Sequence, residues 1–262
     1  MKRFEWKKNS FRMALSALAL CVMFGAAVNA RMPENGVKDK PRGFSPAIKA
    51  VDGHAVLPPP PAFDSVYFMY DKAMYEVGLS MRNTERGRQA EADVDEFDMQ
   101  RHFSEAFGMD ITPEKTPELF KLIERSNEDI YSAARTAKEA YKRTRPYLLY
   151  NAPTCYRPDE ERLRYNSSYP SGHSARGWGL ALVLSEVNPA RKEAILRRGY
   201  EYGQSRVICG YHWQSDVDAG RLAGAAGAAN LHNNPEFMRQ LQKAKDEFAR
   251  LSRKANKGKF HK

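Results

Sequence analysis

The 262-residue sequence predicts an all-α protein, a single-domain helical bundle. Apolar residues recur at helical spacing from residue 64 onward, and a helix start signal stands at Thr116-Pro117-Glu118. Almost no segment shows the alternation of apolar and polar residues that is typical of β-strands. No internal repeat is present, so we expect the helices to share one core over residues 63–250.

The first thirty residues have the pattern of a secretory signal peptide. A basic stretch, MKRFEWKKNSFR, precedes an apolar run of about 16 residues and the small-residue pattern VNA, which predicts cleavage after Ala30. The apolar run is shorter than the ~20 residues that cross a bilayer, and no later stretch is apolar enough to do so. We therefore expect a periplasmic or secreted protein from which residues 1–30 are removed, with no membrane span.

The next elements follow from prolines, charges and periodicity. Residues 31–62 are expected to be an extended N-terminal segment, because they end in four consecutive prolines. The apolar positions over 64–81 predict the first long helix, and the charged stretch 85–98 predicts a helix or an exposed turn. The helix that starts at Thr116 should end near Pro146, since the residue before a proline disfavours the helical conformation.

The second half of the chain reads as a loop followed by four helices. Residues 151–170 hold three prolines and many polar side chains, which favours a loop. Pro189 and Pro235 then divide the helical pattern that follows. The predicted helices cover residues 172–187, 190–207, 213–231 and 236–254.

The last residues, 251–262, form a basic C-terminal tail in a chain whose net charge is +10. From Arg239 to Lys262 the sequence holds nine cationic residues against two carboxylates. Such a run could bind nucleic acid or another acidic surface, or it could be a solvated helix with a frayed end. A basic binding protein is therefore one alternative function.

Two cysteines remain after the predicted cleavage, Cys155 and Cys209. In an oxidising compartment they could form a disulfide that closes a loop of about 55 residues. They could equally be two buried thiols, because sequence alone does not bring the two residues together.

Three short clusters combine cations, histidines, a glycine and a carboxylate in a way that suggests chemistry on an anion. The first is Lys138-x6-Arg145-Pro146, the second is Pro170-Ser171-Gly172-His173, and the third is Ser205-Arg206-x5-His212-x3-Asp216.

His212 and Asp216 are spaced to lie on one helical face. The carboxylate can fix one ring nitrogen of the histidine and leave the lone pair of the other free, which a nucleophilic histidine needs. A structural helix pair is an alternative interpretation of the same spacing. A metal site is another, but further ligands are not found nearby in the sequence.

The cations and the helix start complete an anion site. Lys138, Arg145 and Arg206 offer the positive charges that the oxygens of a transferring phosphoryl group require. Ser171 is a good helix N-cap, and the amide of Gly172 would lie at a helix N-terminus, where anions bind. His173 follows directly and could protonate a departing alkoxide, although no carboxylate partner lies near it in sequence.

The order of these motifs, with PSGH between the other two, resembles the signature of the type 2 phosphatidic acid phosphatase superfamily, which includes the vanadium haloperoxidases. The stretches LPPPPAFDS, RNTERG and SRVICGYHWQSDVDAGR are similar to those of bacterial class A non-specific acid phosphatases. The resemblance runs from about Leu57 to about Arg250. Ser167 and Ser174 depart from it, since that family usually has glycine and threonine there.

The resemblance implies an all-α fold of the acid phosphatase and vanadium haloperoxidase type. It implies a secreted, metal-independent acid phosphatase that hydrolyses many phosphomonoesters through a phosphohistidine, needs no cofactor, is inhibited by vanadate and forms a homo-oligomer. A vanadate-dependent haloperoxidase is the rival within the superfamily, although those chains are longer. The implied roles are nucleophile for His212, its orienting partner for Asp216, general acid for His173, and phosphate binding for Lys138, Arg145, Ser171, Gly172 and Arg206.

Overall fold

The computed structural model describes residues 43–44, 49–96 and 98–259, with the side chains of 256–259 left out. Within these residues all regular structure is helical, and no strand occurs, as the fold prediction required. The α-helices are α1 (Gly53–Val56), α2 (Val66–Met81), α3 (Glu85–Ala92), α4 (Met99–Phe107), α5 (Pro117–Ala140), α6 (Pro146–Leu149), α7 (Pro158–Leu163), α8 (Gly172–Val187), α9 (Lys192–Ile208), α10 (Gln214–Leu231) and α11 (Pro235–Lys259). None of the described helices is long and apolar enough to cross a bilayer.

The four predicted C-terminal helices are all present, and α8 has the predicted bounds. Pro189 opens a short 3₁₀ turn, so α9 begins at Lys192 and not at 190. Pro235 is the first residue of α11, where its missing N–H costs no hydrogen bond. The predicted signal peptide, residues 1–30, lies outside the described residues, and so do residues 31–42 of the predicted extended segment.

Four of the described helices were not predicted: α1, α4, α6 and α7. The prolines in 151–170 predicted a loop, but this segment contains α7. Pro158 stands at the start of that helix, and three carboxylates lie in its first turn. In the same way Pro146 opens α6, although α5 had already ended at Ala140. The segment before residue 62 is also not extended throughout, because Asp52 caps the single turn of α1.

The start of α5 is capped from a distant helix. Pro117 takes the first position as predicted, but the Thr116 hydroxyl donates to the Thr112 carbonyl and caps nothing. The carboxylate of Glu247, from α11, instead accepts the amide of Leu119 at 3.0 Å. Because α11 also buries Phe237 and Leu241, its basic residues lie on the outer side of a helix that belongs to the core.

Helix α8 is the centre of the bundle and packs against α5, α9 and α10. It is buried on nearly all sides, and small residues let its neighbours approach closely. A Cβ on Gly220 of α10 would lie 2.5 Å from the Ser171 carbonyl oxygen, too close for any side chain. This contact sets the N-terminus of α8 against the first turns of α10.

A disulfide joins Cys155 to Cys209, which settles the alternative left open by the sequence. The amide of Cys155 also donates to the Cys209 carbonyl, at 3.2 Å. Cys209 caps the end of α9, so the bridge ties the loop before α7 to the turn that leads into α10.

Candidate active site

The structure brings all three sequence clusters to one place. Lys138 lies in the last turn of α5, and Arg145 is the residue before α6. One guanidinium nitrogen of Arg145 is 3.2 Å from His212 Nε2, and the amide of Ser171 donates to the Asp216 carbonyl at 2.8 Å. All eight predicted site residues lie around this junction: Lys138, Arg145, Ser171, Gly172, His173, Arg206, His212 and Asp216. We call the cationic part, made by Lys138, Arg145 and Arg206 with the start of α8, the cradle.

Arg145 is held by backbone carbonyls from two segments, one before α8 and one between α9 and α10. Its Nε donates to the Asn166 carbonyl at 3.1 Å, and its Nη1 donates to the Tyr211 carbonyl at 3.1 Å. Burial and the neighbouring Arg206 lower its pKa from 12.5 to about 10, so it stays charged at neutral and acidic pH. The protein therefore keeps a fixed guanidinium against the ring of His212.

Arg206 is the strongest sign that the site takes an anion. It is only 1% exposed, and its Nε and Nη1 have no hydrogen-bond partner among the described residues. Its guanidinium lies 4.0 Å from the ring centroid of Tyr211, a contact that orients it without satisfying those donors. A buried cation with unpaired N–H groups is costly, and an anion with several acceptor oxygens would satisfy it.

Lys138 completes the cationic wall. Its Nζ donates to the Ser167 carbonyl at 2.6 Å. Burial, together with the positive charge of Arg145, holds the pKa of its ammonium well below the ordinary 10.5. A bound anion would reverse the effect of the neighbouring cations and favour the charged lysine.

The start of α8 supplies the backbone donors. The Ser171 hydroxyl accepts the amide of Ser174 at 3.3 Å, which confirms Ser171 as the N-cap. A Cβ at position 172 would lie 2.7 Å from the ring of Tyr131 and 3.9 Å from Cε of Lys138. Glycine is therefore needed for the Tyr131 ring to pack against the helix N-terminus.

His212 does not lie on a helix, which corrects the prediction that it shares a helical face with Asp216. The chain leaves α9 through Gly210, whose φ of +77° is a left-handed conformation suited to glycine. Trp213 then caps α10, so His212 precedes the helix. The pair forms nonetheless, with Nδ1 of His212 at 3.4 Å from an Asp216 carboxylate oxygen.

The neighbours of His212 fix its tautomer. A guanidinium can only donate, so Nε2 facing Arg145 must be the acceptor and carry the lone pair. Nδ1 then carries the hydrogen and faces Asp216. Burial, followed by the charges of Arg145 and Lys138, holds the pKa of His212 well below 6.5. The ring therefore favours its neutral form, with its Nε2 lone pair directed at the Arg145 guanidinium of the cradle.

Asp216 is a fully buried carboxylate with every oxygen engaged. One oxygen accepts the Ser168 hydroxyl at 2.6 Å and the Trp213 amide at 2.8 Å, and the other accepts Arg143 Nη1 at 2.5 Å. These donors fix the direction of the carboxylate. Ser168 and Arg143 both lie next to the sequence motifs, but nothing in the sequence indicates that their side chains donate to Asp216.

His173 finds its partners in the loop between α3 and α4. Its Nε2 faces the Val94 carbonyl oxygen at 2.9 Å and therefore carries a hydrogen. Its Nδ1 lies 3.6 Å from the carboxylate of Glu96. Burial is the main cause that holds the pKa of His173 well below 6.5; Arg206 adds to it, while the Val94 contact opposes it. The sequence offered no signal for this loop, because it lies about 80 residues away.

A cleft of about 640 Å³ lies against the cradle. Lys138 and Arg145 form part of its wall, as do the further cations Arg135, Lys142 and Arg164. This positive lining would attract negatively charged molecules toward the cradle. Among the described residues, no group of three or more His, Cys, Asp or Glu side chains is arranged to hold a metal ion.

The chain is similar to several known proteins. Residues 130–238 match the family described as the PAP2 superfamily. The chain is 53% identical to a non-specific acid phosphatase of Providencia stuartii over 84% of this chain and 91% of the relative. It is 46% identical to a non-specific acid phosphatase of Salmonella typhimurium (78% and 83%), and 33% identical to an acid phosphatase of Zymomonas mobilis (76% of each chain).

Proposed function

This chain belongs to the PAP2 superfamily and is a non-specific acid phosphatase within it, and from that premise we propose that it hydrolyses phosphomonoesters through a phosphohistidine on His212. The observation that carries the proposal is the pairing of two features in one place. A buried guanidinium, Arg206, has unpaired donors, and His212, whose Nε2 carries the lone pair, lies close enough for the charge of Arg206 to lower its pKa. An anion and a nucleophile would thus meet there.

In the first step the phosphoryl oxygens of the substrate bind Lys138, Arg145, Arg206 and the amides at the start of α8. The lone pair on His212 Nε2 forms a bond to phosphorus as the bond from phosphorus to the ester oxygen breaks. The electron pair of the broken bond stays on that oxygen. Nδ1 keeps its hydrogen, and the positive charge that develops on the ring is offset by Asp216.

His173 supplies the proton for the leaving oxygen. Because Nε2 is bound to the Val94 carbonyl, the proton comes from Nδ1, so the ring must be cationic when substrate is bound. Bound phosphate brings negative charge next to Arg206, Arg176 and Arg145, the cations that depress the pKa of this ring. In the second step water attacks phosphorus, and the bond from phosphorus to His212 Nε2 breaks, so that its electron pair returns to that nitrogen. The neutral Nδ1 of His173 takes the proton that the water releases.

The substrate class follows from what the cradle contacts. Each proposed binding group would hold the phosphoryl oxygens and none would hold the rest of the ester, so many phosphomonoesters should be accepted. Vanadate takes the trigonal bipyramidal geometry of the transferring phosphoryl group, and should inhibit competitively. We expect Arg206→Ala to weaken that inhibition, because it removes the cradle's unpaired donors.

The decisive experiment follows hydrolysis of nitrophenyl phosphate and traps the labelled protein. We expect hydrolysis that a chelator leaves unchanged, and a phosphoenzyme that survives base and is lost in acid. Loss of activity in chelator that a divalent metal restores would overturn the metal-independent mechanism. Vanadate-dependent oxidation of halide by peroxide, without ester hydrolysis, would instead favour the haloperoxidase alternative.

We also propose that the enzyme is exported, with cleavage after Ala30. The Cys155–Cys209 disulfide supports this proposal, because such bridges persist in oxidising compartments. The mature protein recovered from the periplasm or medium should begin at Arg31. The expected homo-oligomer remains a prediction, which light scattering of the purified protein tests directly.

A further inference from the structure

Arg143 forms a buried bridge between two carboxylates, and the mechanism above uses only one of them. Its Nη1 donates to Asp216 at 2.5 Å, and its Nη2 donates to Asp71 of α2 at 2.7 Å. Both aspartates are fully buried, and Arg143 is 7% exposed. Burying three charged groups to this extent costs desolvation free energy unless the groups are close together and hydrogen-bonded to one another.

Asp71 also holds the first turn of α10. One of its oxygens accepts the amide of Ser215 at 2.8 Å, and the other accepts the Ser215 hydroxyl at 2.6 Å. Arg143 Nη1 is 2.7 Å from the same hydroxyl. Asp71 therefore caps α10 from a helix 144 residues earlier in the chain, at the residue that precedes Asp216.

The charges in this group do not cancel. Two carboxylates and one guanidinium leave one net negative charge, and Asp216 presents it to Nδ1 of His212. If Asp71 were neutral, Arg143 would balance Asp216 alone. The carboxylate would then offset less of the positive charge that His212 gains as its bond to phosphorus forms.

We infer that Asp71 and Arg143 are positioning residues for the nucleophile: they fix the direction and the effective charge of Asp216, and through it the ring of His212. This inference rests on the proposed phosphohistidine mechanism. Neither residue needs to touch the substrate for this role, so they should affect phosphoryl transfer and leave substrate binding unchanged.

The test compares Asp71→Asn with Glu247→Gln. Asn keeps the shape of Asp71 and removes its charge. Glu247 is likewise a buried carboxylate that accepts helix N-terminal amides, but it caps α5 away from the cradle. The two variants are matched for the loss of a buried capping charge, so any general loss of stability should appear in both.

We expect Asp71→Asn to slow phosphoenzyme formation from nitrophenyl phosphate by about 10- to 100-fold, the scale of a small misplacement of a reacting group. Its KM should stay within about twofold of the parent, since the cradle is intact. Glu247→Gln should leave both quantities unchanged. Arg143→Lys keeps the charge but cannot bridge both carboxylates, and should slow the same step.

An unchanged rate of phosphoenzyme formation in folded Asp71→Asn would overturn the inference. A rise in KM with an unchanged rate would do so as well, because Arg143 lines the cleft and would then act on substrate directly. If Asp71→Asn does not fold, Ser215→Ala removes one hydroxyl, with its contacts to Asp71 and Arg143, and should slow the same step about threefold to tenfold. Failure of the proposed function itself is distinct, since the parent enzyme would then form no phosphoenzyme.

Discussion

The two histidines of the site are alike in burial and differ in what holds them. Burial lowers the pKa of both rings well below 6.5. His212 faces the carboxylate of Asp216, which is itself fixed by three other donors. His173 is held by a backbone carbonyl, that of Val94, with the partly exposed Glu96 at 3.6 Å from its other nitrogen.

The difference matches the two chemical tasks. A buried carboxylate can balance the positive charge of a ring that has formed a bond to phosphorus, so it suits a nucleophile. A carbonyl oxygen orients a ring and stabilises its cationic form less than a full negative charge would, so the ring gives up its proton more readily. We therefore expect the two rings to fail in different ways when they are replaced.

The largest effect should come from His212→Ala, which removes the nucleophile. Turnover should fall on the order of 10⁶-fold, the scale seen when a covalent nucleophile is deleted, and labelling of the protein should vanish. His232→Ala is the control, because His232 is an exposed histidine paired with Glu186 outside the site. Acid-labile, base-stable labelling of His212→Ala would contradict the assignment.

His173→Ala should be less severe and should depend on the substrate. With an alkyl phosphate we expect a loss of about 10²–10⁴-fold, because the leaving alkoxide needs a proton. With nitrophenyl phosphate the loss should be smaller, and phosphoenzyme formation should remain measurable. A loss that is equal for both leaving groups would show that His173 is not the acid.

Much of this comparison was predictable from the sequence, and the limits have physical causes. The cap at Ser171 and the prolines at 117 and 189 are local signals, so the helices that carry the cations could be placed. The partners of the two rings depend on packing between distant segments. Val94 and Glu96 contact His173, and Arg143 joins Asp216 to Asp71. The off-helix position of His212 depends on a turn at Gly210, which spacing alone does not reveal.

The disulfide should stabilise the segment that carries His212 more than the segment that carries His173. Cys209 lies three residues before His212, whereas neither cysteine lies near His173 in the chain. Replacing both cysteines by serine opens a loop with a sequence separation of 54 and should lower the free energy of unfolding by about 4 kcal/mol. Hydrogen exchange should accelerate more at the amides of residues 210–213 than at 172–174. Equal acceleration on both sides would show that the bridge does not act locally.

The smallest effect concerns a third histidine that is held as His173 is. His102 has Nε2 at 2.8 Å from the Asp95 carbonyl oxygen and Nδ1 at 3.6 Å from Asp93, in the same loop that binds His173. Burial is the largest cause that lowers its pKa, and Asp93 opposes it. None of these contacts is with a cradle residue. Replacing His102 therefore tests how a buried histidine held in this way affects stability, separately from any effect on catalysis.

Below pH 6.5 the unfolded chain binds a proton at His102 that the native protein does not. The free energy of unfolding should therefore fall as the pH drops from 6.5 toward the native pKa, by up to about 1.4 kcal/mol per pH unit for each such ring. His102→Gln, measured by denaturant unfolding between pH 4.5 and 7, should flatten this slope and leave the pH dependence of kcat unchanged. The exposed His54→Gln serves as control and should alter neither quantity. If His102→Gln also shifts the pH dependence of kcat, then the loop between α3 and α4 transmits charge from His102 to His173. The Val94 carbonyl would then not be the only group of this loop that acts on His173.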